Sequence, residues 1–376
     1  MYIENLKLIN YRNYESLSVS FNKNINLILG KNGQGKTNIV ESISLLAIGK
    51  SFRTSKDKEL IKFDADSLYA GCRFSKNNIE KSIEVLISKE KKGININSMP
   101  IKSIQQLLGN LNIVVFSPED LKLVKDGPKE RRSFIDKEIS QIMPRYYKLL
   151  VSYNKVLNQR NKLLKSNFID DCLLDVYDLE LANYGCEIYL IRMRFIDKLS
   201  KISNKLHKEL TSSIENLSIS YKNQLDLDLN NKDEANPDIV KETILKKLKD
   251  SRDRDKQNKN TKIGPHKDDL EIFINGIDVR LYGSQGQQRT ASISLKLSEI
   301  ELIKREVGDY PILILDDVFS ELDPNRQQML VEKLKDVQMF VTSADYLHKN
   351  ILNTESYRIF SIENGRVIDI EDGGGK

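Results

Sequence analysis

Eight residues near the N-terminus, GKNGQGKT from Gly30 to Thr37, have the types and spacing of a phosphate-holding loop, GxxxxGK[ST]. Gly30, Gly33 and Gly35 let the backbone turn its amides toward one centre. There, with the N-terminus of a following helix, they cradle phosphate oxygens. Lys31, Asn32 and Gln34 complete the loop. In this arrangement Lys36 reaches the terminal phosphates and Thr37 holds Mg²⁺ through its hydroxyl. The chemistry pointed to is ATP binding with Mg²⁺; the alternative is a glycine-rich surface turn.

A second group of candidates lies far along the chain. The apolar run ILIL ends in Asp316 and Asp317. In P-loop enzymes an acidic residue at the end of such a strand accepts Mg²⁺, usually through water, so Asp316 is the expected metal residue beside Thr37. Asp317 follows where a carboxylate can orient or deprotonate the attacking water, which makes it, with Lys36, an expected catalytic residue. A plain strand running into a turn is the other reading.

Between these groups stands GSQGQQR, Gly283 to Arg289. It has the position and much of the wording of the ABC signature LSGGQ. Ser284, Gly286 and Gln287 match it, and Gln285 replaces its first glycine. Such a motif acts on nucleotide held by another subunit. A serine hydroxyl, a glycine amide and a helix N-terminus close over the γ-phosphate from the opposite side, so two ATP molecules would join a dimer. An ordinary helix cap is the alternative. SELDP, Ser320 to Pro324, matches the ABC D-loop. VTSADYLHK follows the next strand, where ABC proteins have a switch residue, but His348 lies further along than the switch residue of that pattern. His266, in GPHKDDL, is read as a structural or hydrogen-bonding histidine, with a direct role at the nucleotide as the alternative.

The elements that must position these residues follow from periodicity. Tyr2 to Asn10 and Leu17 to Phe21 alternate as half-buried strands, and Ile25 to Leu29 is a short apolar run leading into the glycine-rich turn. From Lys36, the residues Ile39, Val40, Ile43 and Leu46 fall at helical spacing, so the loop joins a strand to a helix. Strands follow at Ile83 to Ile87 and Ile113 to Phe116. From Pro128 to Leu210 the sequence is charged and helix-periodic with hardly a turn signal. Asn230 to Asp238 and Asp250 to Asn260 read as linkers, the second solvated and mobile because its charges alternate. Asn275 and Gly276 mark a hairpin between Leu270 to Ile274 and Ile277 to Leu281. A helix from Gln288 to Arg305 leads to the buried strand before Asp316. A strand at Met339 to Thr342 and a hairpin turning at Asn364 and Gly365 close the chain. The expected fold class is α/β: a P-loop ATPase head built from both chain ends, residues 1–127 and 261–376, with a mainly helical domain inserted at 128–260.

Composition bounds the rest. The 376 residues exceed one ordinary compact core and suggest two domains. Lys and Arg total 59 against 54 for Asp and Glu, a net charge of +5 that permits nucleic acid without demanding it. No segment approaches the roughly 20 apolar residues of a membrane span, so no membrane partner is expected. Cys72, Cys172 and Cys186 are odd in number and widely separated, which supports neither a disulfide framework nor a zinc site and fits a reducing cytoplasm.

Together the blocks resemble the RecF family, DNA replication and repair ATPases of the SMC-like branch of the ABC superfamily. The resemblance runs nearly the full length. It is carried by INYRNYE (Ile9 to Glu15), GKNGQGKTNIVESISLLAIGKSFRT (Gly30 to Thr54), FSPEDLKLVKDGPKERRSFID (Phe116 to Asp136), TKIGPHKDDL (Thr261 to Leu270), YGSQGQQRT (Tyr282 to Thr290) and ILILDDVFSELD (Ile312 to Asp323). It implies an ABC-type head with a compact helical arm, and the inserted helices are indeed too short for a long coiled coil. It further implies binding to double-stranded DNA and to junctions of duplex with single strand. It also implies an ATP-dependent homodimer, slow hydrolysis, and cooperation with RecR and RecO in loading RecA at gaps.

The charge pattern adds a weaker indication. Lys and Arg between Lys122 and Arg145 and along the helical segment are candidates for phosphate contacts, against the bland reading of a solvated helix face. Two other classes compete. The ATPase subunit of an ABC transporter is disfavoured by the helical insertion and the altered signature. A nuclease with an ABC-type head would need a further carboxylate cluster.

Overall fold

The computed structural model describes residues 1–225, 236–318, 334–344 and 356–374. Its first third contains β1 (Tyr2–Tyr11), β2 (Tyr14–Ser20), β3 (Ile25–Leu29) and the helix α1 (Lys36–Ile48). These are followed by β4 (Ser67–Lys76), β5 (Ile79–Ser88), β6 (Lys92–Ile96), β7 (Met99–Pro100) and β8 (Ile113–Phe116). Helices then dominate: α2 (Pro128–Ile142), α3 (Pro144–Leu163) and α4 (Asp171–Leu210). After β9 (Leu217–Lys222) come α5 (Pro237–Asp250), α6 (Arg252–Asn258), β10 (Asp269–Ile274), β11 (Ile277–Asp278), the short α7 (Val279–Tyr282) and α8 (Gln285–Val307). The chain ends with β12 (Ile312–Asp316), β13 (Met339–Ser343), β14 (Tyr357–Glu363) and β15 (Arg366–Gly373).

Two compact units result, residues 1–120 with 299–376, and residues 121–298. The first holds two sheets. One is antiparallel, in the order β2-β1-β4-β5-β6-β7. The other has the order β15-β14-β3-β13-β12-β8, parallel except for the β14–β15 hairpin. Sequence explains the difference. In β1, Ile3, Leu6 and Leu8 are buried while Lys7 and Ile9 are exposed, the alternation of a sheet with one covered face. In β3, INLIL is buried throughout, as a central parallel strand covered on both faces must be. Helix α1 is buried almost all round, and Ile39, Val40 and Ile43 share one core with residues of both sheets.

The second unit packs α2 to α6 with a three-stranded antiparallel sheet, β11-β10-β9. The 40-residue α4 starts where the Asp170 carboxylate caps the amides of Cys172 and Leu173.

Three sequence expectations need correction here. The stretch 261–298 was expected with the head, but it belongs to the second unit. The cause is long-range pairing: β10 is registered against β9 from Asp269↔Lys222 to Ile274↔Leu217. The loop before it is tied to α3 and α4, because Arg160 Nη1 donates to Thr261 Oγ1 at 2.9 Å and Arg192 Nη1 donates to the Pro265 carbonyl at 2.6 Å. Residues 250–260 are likewise no mobile linker. They contain α6, whose Asp255 is fully buried and accepts from Arg160 at 2.7 Å, while Arg252 pairs with Asp178, also at 2.7 Å. Of the alternating charges, Asp255 and Arg252 are neutralised inside the unit, while Asp253, Arg254 and Lys259 are exposed as the charge pattern predicts. The second strand of the hairpin at Asn275 and Gly276 stops after two residues, since the Asp278 side chain caps the turn of helix that follows.

Candidate functional site

Strand β3 delivers Gly30, and α1 begins at Lys36 with Gly35 as its N-cap at φ 113°, a conformation L side chains rarely adopt. Lys31, Asn32 and Gly33 are exposed and Gln34 is half-buried. Lys36 is folded back over the loop: its Nζ donates to the carbonyls of Gly30 at 2.7 Å and Lys31 at 3.1 Å, and reaches Asn32 Oδ1 at 3.5 Å. An ammonium held in the mouth of the loop by neutral carbonyls is poised to exchange them for phosphate oxygens, which carry full charge.

Thr37 meets Asp316 across the parallel sheet. Its hydroxyl donates to Asp316 Oδ1 at 2.9 Å, and the Thr342 hydroxyl donates to the same oxygen at 2.7 Å. Burial pushes the Asp316 carboxyl above its ordinary value, and the Asp317 charge adds to that; the hydroxyls of Thr342 and Thr37, and the Arg53 charge, pull it back. The donor set of one threonine hydroxyl and one buried carboxylate suits a Mg²⁺ that takes several of its ligands from water and phosphate. Asp317 leaves the strand with φ 53°, in the left-handed region, and its amide donates to Thr342 Oγ1 at 3.0 Å. Thr342 thus touches both acidic residues, one through its proton and one through its lone pair.

Several residues around the loop were not singled out from the sequence. Arg12 and Asn13 form the two-residue turn between β1 and β2. Arg12 makes a bidentate pair with the fully buried Glu41 of α1, at 2.9 and 2.7 Å, and Ser51 also donates to Glu41. Asn13 Nδ2 donates to the Gln34 carbonyl at 3.0 Å and Tyr14 Oη to that of Gly35 at 3.1 Å. Arg53 donates to Asn38 Oδ1 at 3.1 Å. These positions lie inside the family-like blocks, but only the folded chain gives them partners. Thr342 offered one local signal, a hydroxyl at the end of an apolar strand; its register against Asp316 is a tertiary fact.

The signature-like residues lie in the second unit, at the start of α8. Ser284 and Gln287 form a reciprocal cap: the Ser284 amide donates to Gln287 Oε1 at 3.0 Å, and the Gln287 amide to Ser284 Oγ at 3.2 Å. Gln287 also donates to Glu215 at 2.9 Å. Ser284, Gln285 and Gly286 are exposed. Among the described residues a Cβ on Gly286 would meet only Ser284 Oγ, at 3.9 Å, so none of them requires glycine there. Since glycine weakens a helix relative to alanine, its presence leaves room for something to approach the helix end closely.

His266 is half-buried, with Nδ1 2.7 Å from Tyr153 Oη and Nε2 3.1 Å from the Thr261 carbonyl. A carbonyl only accepts, so Nε2 carries the proton and Nδ1 accepts from the tyrosine. Burial lowers its pKa to about 4, which keeps it neutral and structural. Of the basic stretch from Lys122 to Arg145, Arg131 is held by Asp269 at 2.7 and 2.8 Å and Arg132 donates to the Asp268 carbonyl at 2.7 Å. Lys125 and Lys129 are exposed. The D-loop candidate Ser320 to Pro324 and His348 lie outside the described residues.

A strand–loop–helix phosphate cradle, a buried acid at the end of a neighbouring parallel strand and a capped signature-like helix define an ABC-type P-loop head. The known proteins place it further. Residues 2–367 match the family described as RecF/RecN/SMC N terminal domain. The chain is 59% identical over 374 residues, covering both proteins completely, to the DNA replication and repair protein RecF of Clostridioides difficile strain 630. It is 47% identical to RecF of Alkaliphilus oremlandii, over 98% of this chain and all of that protein. The solved structure of the recombination mediator protein RecF-ATPrS of the RecFOR pathway superposes with a TM-score of 0.90 at 38% identity, covering 97% of each chain. An SMC head bound to the C-terminal winged-helix domain of ScpA shares the fold, with a TM-score of 0.58 at 17% identity. The chain belongs to the RecF family. No helix among the described residues is long and apolar enough to cross a membrane.

Proposed function

We propose that this chain is an ATP-gated DNA-holding protein of recombinational repair and replication restart. ATP with Mg²⁺ binds at Gly30 to Thr37, with Thr37 and Asp316 on the metal side and Asp317 directing the water. Ser284, Gln285, Gly286 and Gln287 of a second copy close over the γ-phosphate, so ATP joins two chains and slow hydrolysis releases them. The joined pair holds duplex DNA or a junction of duplex with single strand and, with RecR and RecO, helps place RecA at gaps. The chemistry sets timing.

One observation carries the nucleotide reading: the Thr37 hydroxyl and the Asp316 carboxylate, far apart in the chain, meet at 2.9 Å directly beside the cradle. A glycine-rich surface turn has no reason to be matched by a buried acid, because burying a carboxylate costs stability unless it serves or is paired. The exposed Gly286 supports closure by an outside group. The relatives being DNA replication and repair proteins supports the DNA reading over transport.

The deciding experiment is binding to gapped DNA with and without ATP at several salt concentrations. Tight binding that needs ATP and weakens with salt is the expected result, and Lys36→Ala should abolish it together with nucleotide binding. DNA affinity that is indifferent to ATP would leave the cradle without this role.

A further inference from the structure

We infer that the turn of the C-terminal hairpin, Asn364 and Gly365, is a positioning element of the nucleotide site. The inference rests on reading Gly30 to Thr37 as the ATP cradle. A cradle works only if successive amides face inward, and something must hold them so before the ligand arrives. In a planar trans peptide the carbonyl and the next residue's amide point in opposite directions, so fixing a carbonyl outward aims the following N–H inward.

Two distant turns do this. The Gln34 carbonyl accepts from Asn13 Nδ2 and from the Gly365 amide, each at 3.0 Å, which turns the Gly35 N–H away from both. The Gly35 carbonyl accepts from Tyr14 Oη at 3.1 Å, which directs the Lys36 N–H in the same way. The Asn364 amide donates to Gln34 Oε1 at 2.6 Å and fixes the side chain as well. The two turns also interlock with each other. Gly365 has φ 70°, and a Cβ on it would lie 2.5 Å from the Asn13 carbonyl oxygen and 3.1 Å from its carbon. Both neighbours are backbone, so no side-chain rotation relieves the clash. On the other flank of the loop, a Cβ on Gly30 would overlap the carbonyl of Ile362, near the end of the same hairpin's first strand. The last hairpin of the chain therefore completes a cradle whose sequence lies near the beginning, and the site is assembled only once that hairpin is docked.

The test measures the affinity of the full chain for mant-ATP and its melting temperature without nucleotide. Gly308 provides a matched control: it lies in the same unit at φ 83°, and a Cβ on it would meet nothing within 4 Å, so Gly308→Ala carries the backbone strain without the clash. Gly365→Ala should weaken mant-ATP binding at least roughly tenfold, or about 1.4 kcal/mol, beyond any change in Gly308→Ala. Gln34→Ala, which removes only the acceptor for the Asn364 amide, should weaken it several-fold with an unchanged melting temperature, and it keeps the test open if Gly365→Ala does not fold. Wild-type affinity in Gln34→Ala and in folded Gly365→Ala, or equal losses in Gly365→Ala and Gly308→Ala, would overturn the inference. Failure of the wild-type protein itself to bind mant-ATP would overturn the cradle reading, and the inference with it.

Discussion

Replacing Thr342 by valine keeps the shape of a fully buried side chain and removes one oxygen. That oxygen donates to Asp316 Oδ1 at 2.7 Å and accepts from the Asp317 amide at 3.0 Å. A hydrogen bond to an ionised carboxylate contributes about 1.5–3 kcal/mol and a neutral one about 1 kcal/mol. The deficit of Thr342→Val should therefore be about 2.5–4 kcal/mol where Asp316 is ionised and about 2 kcal/mol where it is protonated. The pH dependence has a definite sign. Burial raises the Asp316 carboxyl above its ordinary value of 3.8, so the stability of its protonated form is fully present in acid and is lost as pH rises through the raised pKa. Thr342 offsets part of that loss, and valine removes the offset. The gap between variant and wild type should widen as pH rises through the raised Asp316 pKa, in urea unfolding curves taken in steps upward from the ordinary carboxylate value of 3.8. Mg²⁺ added with ATP should raise the variant's melting temperature less than the wild type's. A deficit that stays constant across the whole pH series would show that Thr342 does not act on the Asp316 charge.

Three further outcomes follow from the geometry. Ser284→Arg should leave nucleotide binding by the single chain intact and prevent ATP-driven dimerisation, and a dimer persisting with ATP in sedimentation would exclude the two-copy site. Asp317→Asn should slow hydrolysis by about 100-fold and prolong the ATP-bound state on DNA; unchanged turnover would remove Asp317 from the chemistry. Arg160 bonds Asp178 and Asp255, both at 2.7 Å, and all three side chains are fully buried. Arg160→Met takes the only arginine from buried Asp255 and one of two from Asp178, which keeps Arg252, and should cost about 3–5 kcal/mol in urea unfolding, whereas a loss below about 1 kcal/mol would mean that water reaches the site.

Sequence reading fails in this chain where charge is judged by itself. Asp255 and Arg252 sit in a run that looks solvated, yet Asp255 is buried and Arg252 is largely covered, because Arg160 and Asp178 arrive from α3 and α4 to neutralise them. Likewise 261–298 looks like part of the head because its motifs belong with the P-loop in order along the chain, whereas backbone pairing of β10 with β9 places it in the other unit. Each strand shows its own alternation, but which distant segment it pairs with leaves no trace in either one.

What the sequence by itself determined about this protein is local: the glycine-rich turn between Leu29 and Lys36, the apolar run ending at Asp316, the hairpin turn at Asn364 and Gly365 and the helix read from Gln288 to Arg305. Each is set by spacing, turn chemistry and period within a dozen residues, where the chain's own covalent geometry fixes the outcome. The tertiary structure alone decided which of these features meet. It set Thr342 in register with Asp316, turned Asn13 and Gly365 onto the Gln34 carbonyl, and paired Arg252 and Asp255 of α6 inside the second unit. Those meetings depend on closing long loops and on burying apolar strands face to face, and that energy belongs to the whole fold.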